Sequence, residues 1–212
     1  MWKKIALVVI AAVSLSVILV GCSGSEPSGT QEAFGIIGAM DSEVDSLKGA
    51  MKIENTTTVS QMEFCEGTLG DRRVVVVKCG VGKVNAGICA NTLINQFGCT
   101  KVINTGVAGS LDNRINIGDV VVSVDAVQHD YDCSPIGHKR GEILYTGLVA
   151  FPANAELRAA AVDAVRKAVP DVEVFEGRVC TGDQFIATSE QKDAITSEFG
   201  GLCCEMEGAA IA

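Results

Sequence analysis

Four consecutive valines, Val74-Val75-Val76-Val77, are followed by one lysine and then by Cys79-Gly80-Val81-Gly82-Lys83. Successive side chains of a strand point to opposite faces, so an unbroken β-branched run fits a central strand covered on both sides. The glycine loop after it opens a helix from Lys83 to Phe97. That helix carries Val84, Ile88, Ile94 and Phe97 at near-helical spacing, with Gly98 as its stop. A covered strand, a tight loop and a helix together point to an α/β protein.

The rest of the chain repeats this alternation. Phe34 to Ala39 is a short apolar run after a linker and reads as a buried strand. Gln61 to Leu69 alternates loosely, and Asp71-Arg72 gives a turn. Lys101 to Asn104 is a further strand, ending in Thr105-Gly106-Val107-Ala108-Gly109, and Asp119 to Val124 is another. Ala153 to Val169 is a helix with Leu157, Ala161 and Val165 on one stripe and Pro170 as terminator. Val172 to Cys180 is a strand, Thr181 to Ile186 a loop, and Ser189 to Phe199 a helix closed by Gly200-Gly201. Leu202 to Cys204 is a last short strand. The order gives α/β with a largely buried sheet and no internal repeat.

The N-terminus carries a different signal. Lys3 and Lys4 precede an apolar run from Ile5 to Val20, and Leu19-Val20-Gly21-Cys22 follows the pattern of a lipoprotein cleavage site. The run falls short of the roughly 20 residues that span a bilayer as a helix, so a membrane helix is the weaker reading. Residues 1–21 are therefore expected to be a lipoprotein signal peptide, and Cys22 the lipid-bearing first mature residue. The expected location is the extracytoplasmic face of the cell membrane; the alternative is secretion with soluble release. Residues 22–33, rich in Ser, Gly and Pro, are a flexible tether. Residues 34–212 are a length that suits one domain.

Composition excludes several functions. The formal net charge is −9, and no basic run follows Lys4, which argues against nucleic-acid binding. Only two histidines are present and no cysteine pair has CxxC spacing, so no metal site is expected. Gly80-Val81-Gly82 does not complete a dinucleotide fingerprint, and no GxxxxGK[ST] run occurs, so no cofactor is expected. Nine cysteines are present. Apart from Cys22, those inside apolar patterns (Cys79, Cys89, Cys180 and Cys203) read as small buried hydrophobes rather than disulfide partners.

The two glycine loops alone are a weak signal for a ligand oxygen at exposed backbone amides. Their combination with other segments is specific. Gly35-Ile36-Ile37-Gly38-Ala39-Met40 with Glu43 comes first, then Cys79-Gly80-Val81-Gly82-Lys83 and Asn104-Thr105-Gly106-Val107-Ala108-Gly109. Ile117-Gly118-Asp119-Val120-Val121 leads to His129-Asp130, then Thr181-Gly182-Asp183-Gln184-Phe185-Ile186, and finally Glu205-Met206-Glu207-Gly208-Ala209-Ala210. In order and spacing these segments resemble the methylthioadenosine/S-adenosylhomocysteine nucleosidases of the nucleoside phosphorylase superfamily, over the whole of residues 34–212.

The resemblance implies a three-layer α/β/α fold with a central mixed sheet, a purine nucleoside as small-molecule partner, and a homodimer whose partner closes the pocket. Glu43 matches the acid that holds and deprotonates the attacking water. Glu207 matches the residue that grips the ribose hydroxyls, with Met206 beside it. Phe185 matches the aromatic that stacks on adenine, Ile186 the residue whose main chain reads the base edge, and Met40 a residue lining the ribose and alkylthio side. Cys79 stands where many relatives carry serine. The acid that protonates adenine lies, in the family, in a strand beyond the Glu-Met-Glu-Gly segment. It would therefore fall past Ala212, so residues 34–212 read as C-terminally incomplete and are expected to turn over slowly, if at all.

The chemistry asks for these residue types independently. Cleaving an N-ribosyl bond passes through an oxocarbenium-like state, so one carboxylate orients water and another stabilises developing positive charge. Each acid also has a purely structural reading: Glu43 as a cap of the first helix, Glu205 as a structural contact and Asp183 as a helix-start residue. His129 and His138 read as loop residues. Hydrolysis of 5′-thio- or 5′-deoxyadenosines is the expected function. The alternatives are futalosine hydrolysis or phosphorolysis, and a non-catalytic nucleoside-binding lipoprotein. Asp41 and Glu43 stand in the first loop, where phosphorylases place basic residues, and this favours water over phosphate.

Overall fold

A computed structural model describes residues 32–212 of the chain. The expected signal segment 1–21, Cys22 and most of the expected tether lie outside the described residues. The first strand, β1 (Ala33–Gly38), is buried along its whole length. It lies parallel to β4 (Arg72–Lys78) on one side and β5 (Cys99–Asn104) on the other. The hairpin β2 (Lys52–Val59) and β3 (Met62–Leu69) extends this sheet in the order β2-β3-β4-β1-β5.

The valine run distributes its side chains as a doubly covered strand must. Val74 and Val76 pack with Phe34 and Ile36 against Val44 and Leu47 of α1 (Asp41–Ala50). Val75 and Val77 face the other way, onto Ile37, Phe64, Cys89 and Leu93, the last two on α2 (Lys83–Asn95). The two faces of one strand thus hold two helices apart, which produces three layers. At Gly35 a Cβ would come within 2.8 Å of the Leu93 side chain, so glycine lets α2 lie close on the sheet.

The helix α2 packs differently from the sequence expectation. Its buried face is Ala86, Cys89, Ala90, Thr92 and Leu93. Val84, Ile88 and Ile94 are exposed, Val84 at 72%. Small residues make the close approach to the sheet, and the large ones point outward. Phe97 is buried as expected and stacks on Phe64, ring centroids 4.8 Å apart.

The remaining strands form a second mixed ladder, in the order β6-β10-β9-β7-β8. They are β6 (Gly109–Ser110), β7 (Val120–Gln128), β8 (Ala150–Pro152), β9 (Val174–Thr181) and β10 (Cys203–Glu205). β7, β9 and β10 run parallel, while β6 and β8 are antiparallel edges. α3 (Ala155–Ala168) covers it with Val165, joined by Val169, packed on Val120 and Val174. α4 (Ser189–Phe199) packs Ile195 and Phe199 on Val127, Cys180 and Cys204. It starts in a capping box, Thr188 Oγ1 accepting from Gln191 N–H at 3.3 Å and Gln191 Oε1 from Thr188 N–H at 3.1 Å. Gly200, at φ +66°, ends it in the left-handed conformation that glycine supplies most readily. A short helix, α5 (Gly208–Ile211), follows β10.

Seven of the eight described cysteines are buried and the eighth, Cys133, is half-buried; all are free thiols. Burial pushes the Cys89, Cys180 and Cys203 thiols up to about 12. No helix among the described residues is long and apolar enough to cross a membrane.

Candidate active site

The parallel strands deliver their carboxyl ends to one edge of the fold, where ligands of open α/β sheets gather. β1 leads through Ala39 and Met40 into α1, β4 into the Cys79–Gly82 loop, and β5 into the loop of Gly106 and Val107. Two backbone bonds bind the three ends together: Cys79 N–H donates to Gly38 O and Thr105 N–H to Ile37 O, each at 2.9 Å. β7, β9 and β10 bring His129, the Gly182 turn and Glu207 to their own carboxyl ends.

Glu43 lies in the first turn of α1 and is only 7% exposed. Its Oε2 accepts from Ala39 N–H at 2.6 Å and Met40 N–H at 3.0 Å, and its Oε1 from Val107 N–H at 2.9 Å. The bonds to Ala39 and Met40 are a capping role, as the structural reading of this residue expects. The bond from Val107 is something more, because it ties the carboxylate to a different strand end. Gly106 makes that possible: a Cβ there would stand 2.7 Å from Glu43 Oε1. A carboxylate offers about four lone-pair sites, and three N–H groups leave room for one further donor, such as a water.

Glu207, 8% exposed, precedes α5 and accepts from Gly82 N–H at 2.7 Å through Oε1. Burial raises its carboxyl above the usual value, the charges of Glu205 and Glu43 push the same way, and the Gly82 N–H opposes them. Cys79 lies between the two acids in an electrostatic sense. Its thiol is pushed up to about 12, first by burial and then by the charges of Glu207 and Glu43. The thiol donates to Gly80 O at 3.0 Å. The site therefore brings together Glu43, Glu207 and Cys79 from segments far apart in sequence.

Glu205 serves structure. It accepts from Glu207 N–H at 2.8 Å, from Gly208 N–H at 2.6 Å and from the Thr181 hydroxyl, capping α5. The same Thr181 oxygen accepts from Ala209 N–H at 2.9 Å. Met206, between Glu205 and Glu207 in sequence, is half-buried, and Met40 stands partly exposed at the start of α1. Phe185 is 84% exposed on its loop, whereas Ile186 packs on the cluster of Val127, Cys180 and Ile195.

One sequence expectation is corrected here. Asp183 does not start its own helix. It caps a distant one, Oδ1 accepting from Lys83 N–H at 2.8 Å across 100 residues of sequence. His129 lies in the turn after β7, a loop residue as expected, yet it is buried, and its Nε2 finds no partner among the described residues. Burial holds its imidazole below the usual value. His138 sits on the 133–142 loop as expected, 2.9 Å from Glu142 Oε1 through Nδ1. Sequence reading quotes Asp130 beside His129 but gives it no role; it accepts from Lys83 Nζ at 2.7 Å and from Asp183 N–H at 2.8 Å.

The cations at this edge are engaged. Lys78 Nζ is 2.8 Å from Asp41, and Lys83 Nζ is 2.7 Å from Asp130. Between the turn at Ser60-Gln61 and the Cys79-Gly80 loop lies a cleft of about 260 Å³, also lined by Met62, Lys78 and Asn85. Among the described residues no group of three or more His, Cys, Asp or Glu side chains is placed to hold a metal ion.

Known proteins resemble this chain in sequence and in fold. The family model of the phosphorylase superfamily matches residues 33–212. A 5′-methylthioadenosine/S-adenosylhomocysteine nucleosidase of Psychromonas ingrahamii is 38% identical over 180 residues, which cover 84% of this chain and 77% of that protein. The structure of a nucleosidase of the same name from Colwellia psychrerythraea, in complex with adenine, superposes with a TM-score of 0.81 at 34% identity, covering 86% of this chain and 75% of that one. A futalosine hydrolase from Helicobacter pylori superposes with a TM-score of 0.79 at 30% identity, covering 85% and 76%.

Proposed function

Because the chain belongs to the methylthioadenosine/S-adenosylhomocysteine nucleosidase family of the phosphorylase superfamily, we propose that it hydrolyses the N-ribosyl bond of 5′-thio- or 5′-deoxyadenosines and releases adenine. The observation that carries this reading is the meeting of two buried carboxylates, Glu43 and Glu207, each fixed by backbone N–H groups at the strand ends. Glu43 holds a water at its remaining lone pair and takes its proton as the water attacks C1′. General-base help of this kind contributes roughly two to four decades in rate. Glu207 receives the ribose hydroxyls. Its negative charge, little screened at a buried position, favours the positive charge that develops on the sugar. Phe185 stacks on adenine, the Ile186 main chain reads the base edge, and Met40, Met206 and Cys79 line the sugar. Asp183 is occupied as a cap, so protonation of the leaving purine is assigned to none of the described residues.

The nucleophile is water rather than phosphate. Lys78 and Lys83, the cations at the strand ends, are each neutralised by an aspartate, and a phosphate dianion would meet Asp41, Glu43 and Glu207 instead. The test is incubation of a protein beginning at Glu32 with methylthioadenosine, S-adenosylhomocysteine and futalosine, with and without phosphate. Free adenine from the first two, independent of phosphate, is the expected result. Preferential cleavage of futalosine would reassign the substrate, and a requirement for phosphate would reassign the reaction.

Two further parts of the reading concern assembly and address. A second copy of this chain covers the exposed face of α2, since Val84 and Ile88, one turn apart, leave apolar side chains exposed close after the exposed Val81. A lipid on Cys22 tethers the protein to the membrane surface, a reading supported by the Lys3-Lys4 start and the Leu19-Val20-Gly21-Cys22 stretch.

A further inference from the structure

The loop assigned above to base recognition is fastened by a closed ring of polar contacts. Asp183 Oδ1 accepts from Lys83 N–H at 2.8 Å. Asp183 N–H donates in turn to Asp130 Oδ2 at 2.8 Å. Asp130 Oδ1 accepts from Lys83 Nζ at 2.7 Å, and that ammonium also donates to Gln128 Oε1 at 3.1 Å. The ring therefore joins the first residue of α2, the end of β7 and the turn after β9. Lys83 and Asp130 are 18% and 13% exposed at their side chains, so water and salt screen the pair far less than a surface ion pair. From below, the ring of His129 fills the space where a Gly182 Cβ would stand. Beyond the turn, Phe185 is exposed, while Ile186 after it packs on Val127, Cys180 and Ile195.

We propose that Asp130 is a positioning residue for base recognition: with Lys83 it clasps the Gly182-Asp183 turn to the start of α2 and so sets Phe185 and Ile186 at a fixed distance from Glu43 and Glu207. The inference rests on the reading of Phe185 and Ile186 as the base-binding residues. It goes beyond that reading because Asp130 acts through the loop. The same Lys83 whose N–H is capped by Asp183 carries the charge that orients Asp130, so loss of Asp130 loosens the turn on the strand side while leaving the cap.

Two measurements on the wild type, Asp130→Ala, Asp130→Asn, Phe185→Ala and the Asp130→Ala/Phe185→Ala double variant test this. Amide hydrogen exchange of the ligand-free protein reads the fastening, and calorimetric titration with adenine reads its consequence. Asp130→Ala is expected to speed exchange across 182–186 and to weaken adenine by about tenfold, or ~1.4 kcal/mol. Asp130→Asn keeps one acceptor oxygen and should fall between it and the wild type. In the double variant the loss should be smaller than the sum of the two single losses, since residues acting through one element are not additive. A merely structural role would give additive losses and no local change in exchange, and either result overturns the inference. If Phe185→Ala weakens adenine but neither Asp130 variant does, the inference alone falls. If Phe185→Ala leaves adenine binding unchanged, the base-recognition reading fails and takes the inference with it, whatever the exchange data show.

Discussion

Replacing Glu43 with glutamine separates two things the carboxylate does, because it keeps the shape and removes the charge. In the wild type one oxygen takes the N–H groups of Ala39 and Met40 and the other takes that of Val107. A glutamine serves best with its carbonyl toward Ala39 and Met40, which turns its NH₂ toward the Val107 N–H. Donor then faces donor, and leaving this part-buried N–H unpaired costs ~1 kcal/mol, the low end of the range for a buried donor. The two retained bonds lose their charge assistance, about 1 kcal/mol each. Relief from burying a charge offsets part of this. The net loss should be ~2–3 kcal/mol, which for a domain of this size lowers Tm by about 4–12 °C. The assay is thermal and urea unfolding of both proteins, with hydrogen exchange at Val107 alongside. In the same variant adenine release should fall by at least ~100-fold, since an amide takes no proton from water. An unchanged Tm together with unchanged exchange at Val107 would refute the claim that Glu43 ties two strand ends together. Near-normal turnover would refute its role as the base.

Three other outcomes are expected. Burial raises the Glu207 carboxyl above its ordinary value, so the folded protein holds this proton longer than the unfolded chain does. The resulting penalty is absent below about pH 4.5, grows as pH rises past it and is complete above the folded value. Glu207→Gln, whose carbonyl still accepts from Gly82, should therefore be more stable than wild type at pH 8 and equal to it near pH 4; the reverse order in urea titrations would contradict this. Ile88→Asp puts a charge in the exposed face of α2 and should yield a monomer by sedimentation without loss of secondary structure, whereas an unchanged oligomer would move the subunit contact elsewhere. Cys22→Ala should abolish metabolic acyl labelling and release the protein from membranes, and a wild type that takes no label would remove the lipid anchor.

What the sequence revealed follows burial. β1 and β4 carry continuous apolar runs between turn signals, and their pattern is sufficient because both faces are covered. β2, whose residues are largely exposed, gives no such signal and was not anticipated; it is a strand because β3 pairs with it. On α2 the apolar spacing suggested a core stripe of Val84 and Ile88, yet the helix turns its small residues to the sheet, because Gly35 and Ala86, Cys89 and Ala90 allow the closest approach. Periodicity registers an apolar face without saying what covers it. The two acids were identified by their surrounding motifs, which are local. The partners of Asp183 and Asp130 lie 100 and 47 residues away along the chain, so no local pattern announces them.

The central claim, that these carboxylates direct water onto a nucleoside, is tested most directly by a single-turnover experiment, with protein in excess over 5′-methylthioadenosine, which registers even slow chemistry. Adenine and the sugar product are quantified with and without phosphate, for wild type and Glu43→Gln. The account predicts adenine and free 5-methylthioribose at the same rate in both buffers, with the Glu43→Gln rate at least ~100-fold lower. Adenine that appears only with phosphate and leaves a sugar 1-phosphate would contradict it, as would a wild-type rate no greater than that of Glu43→Gln.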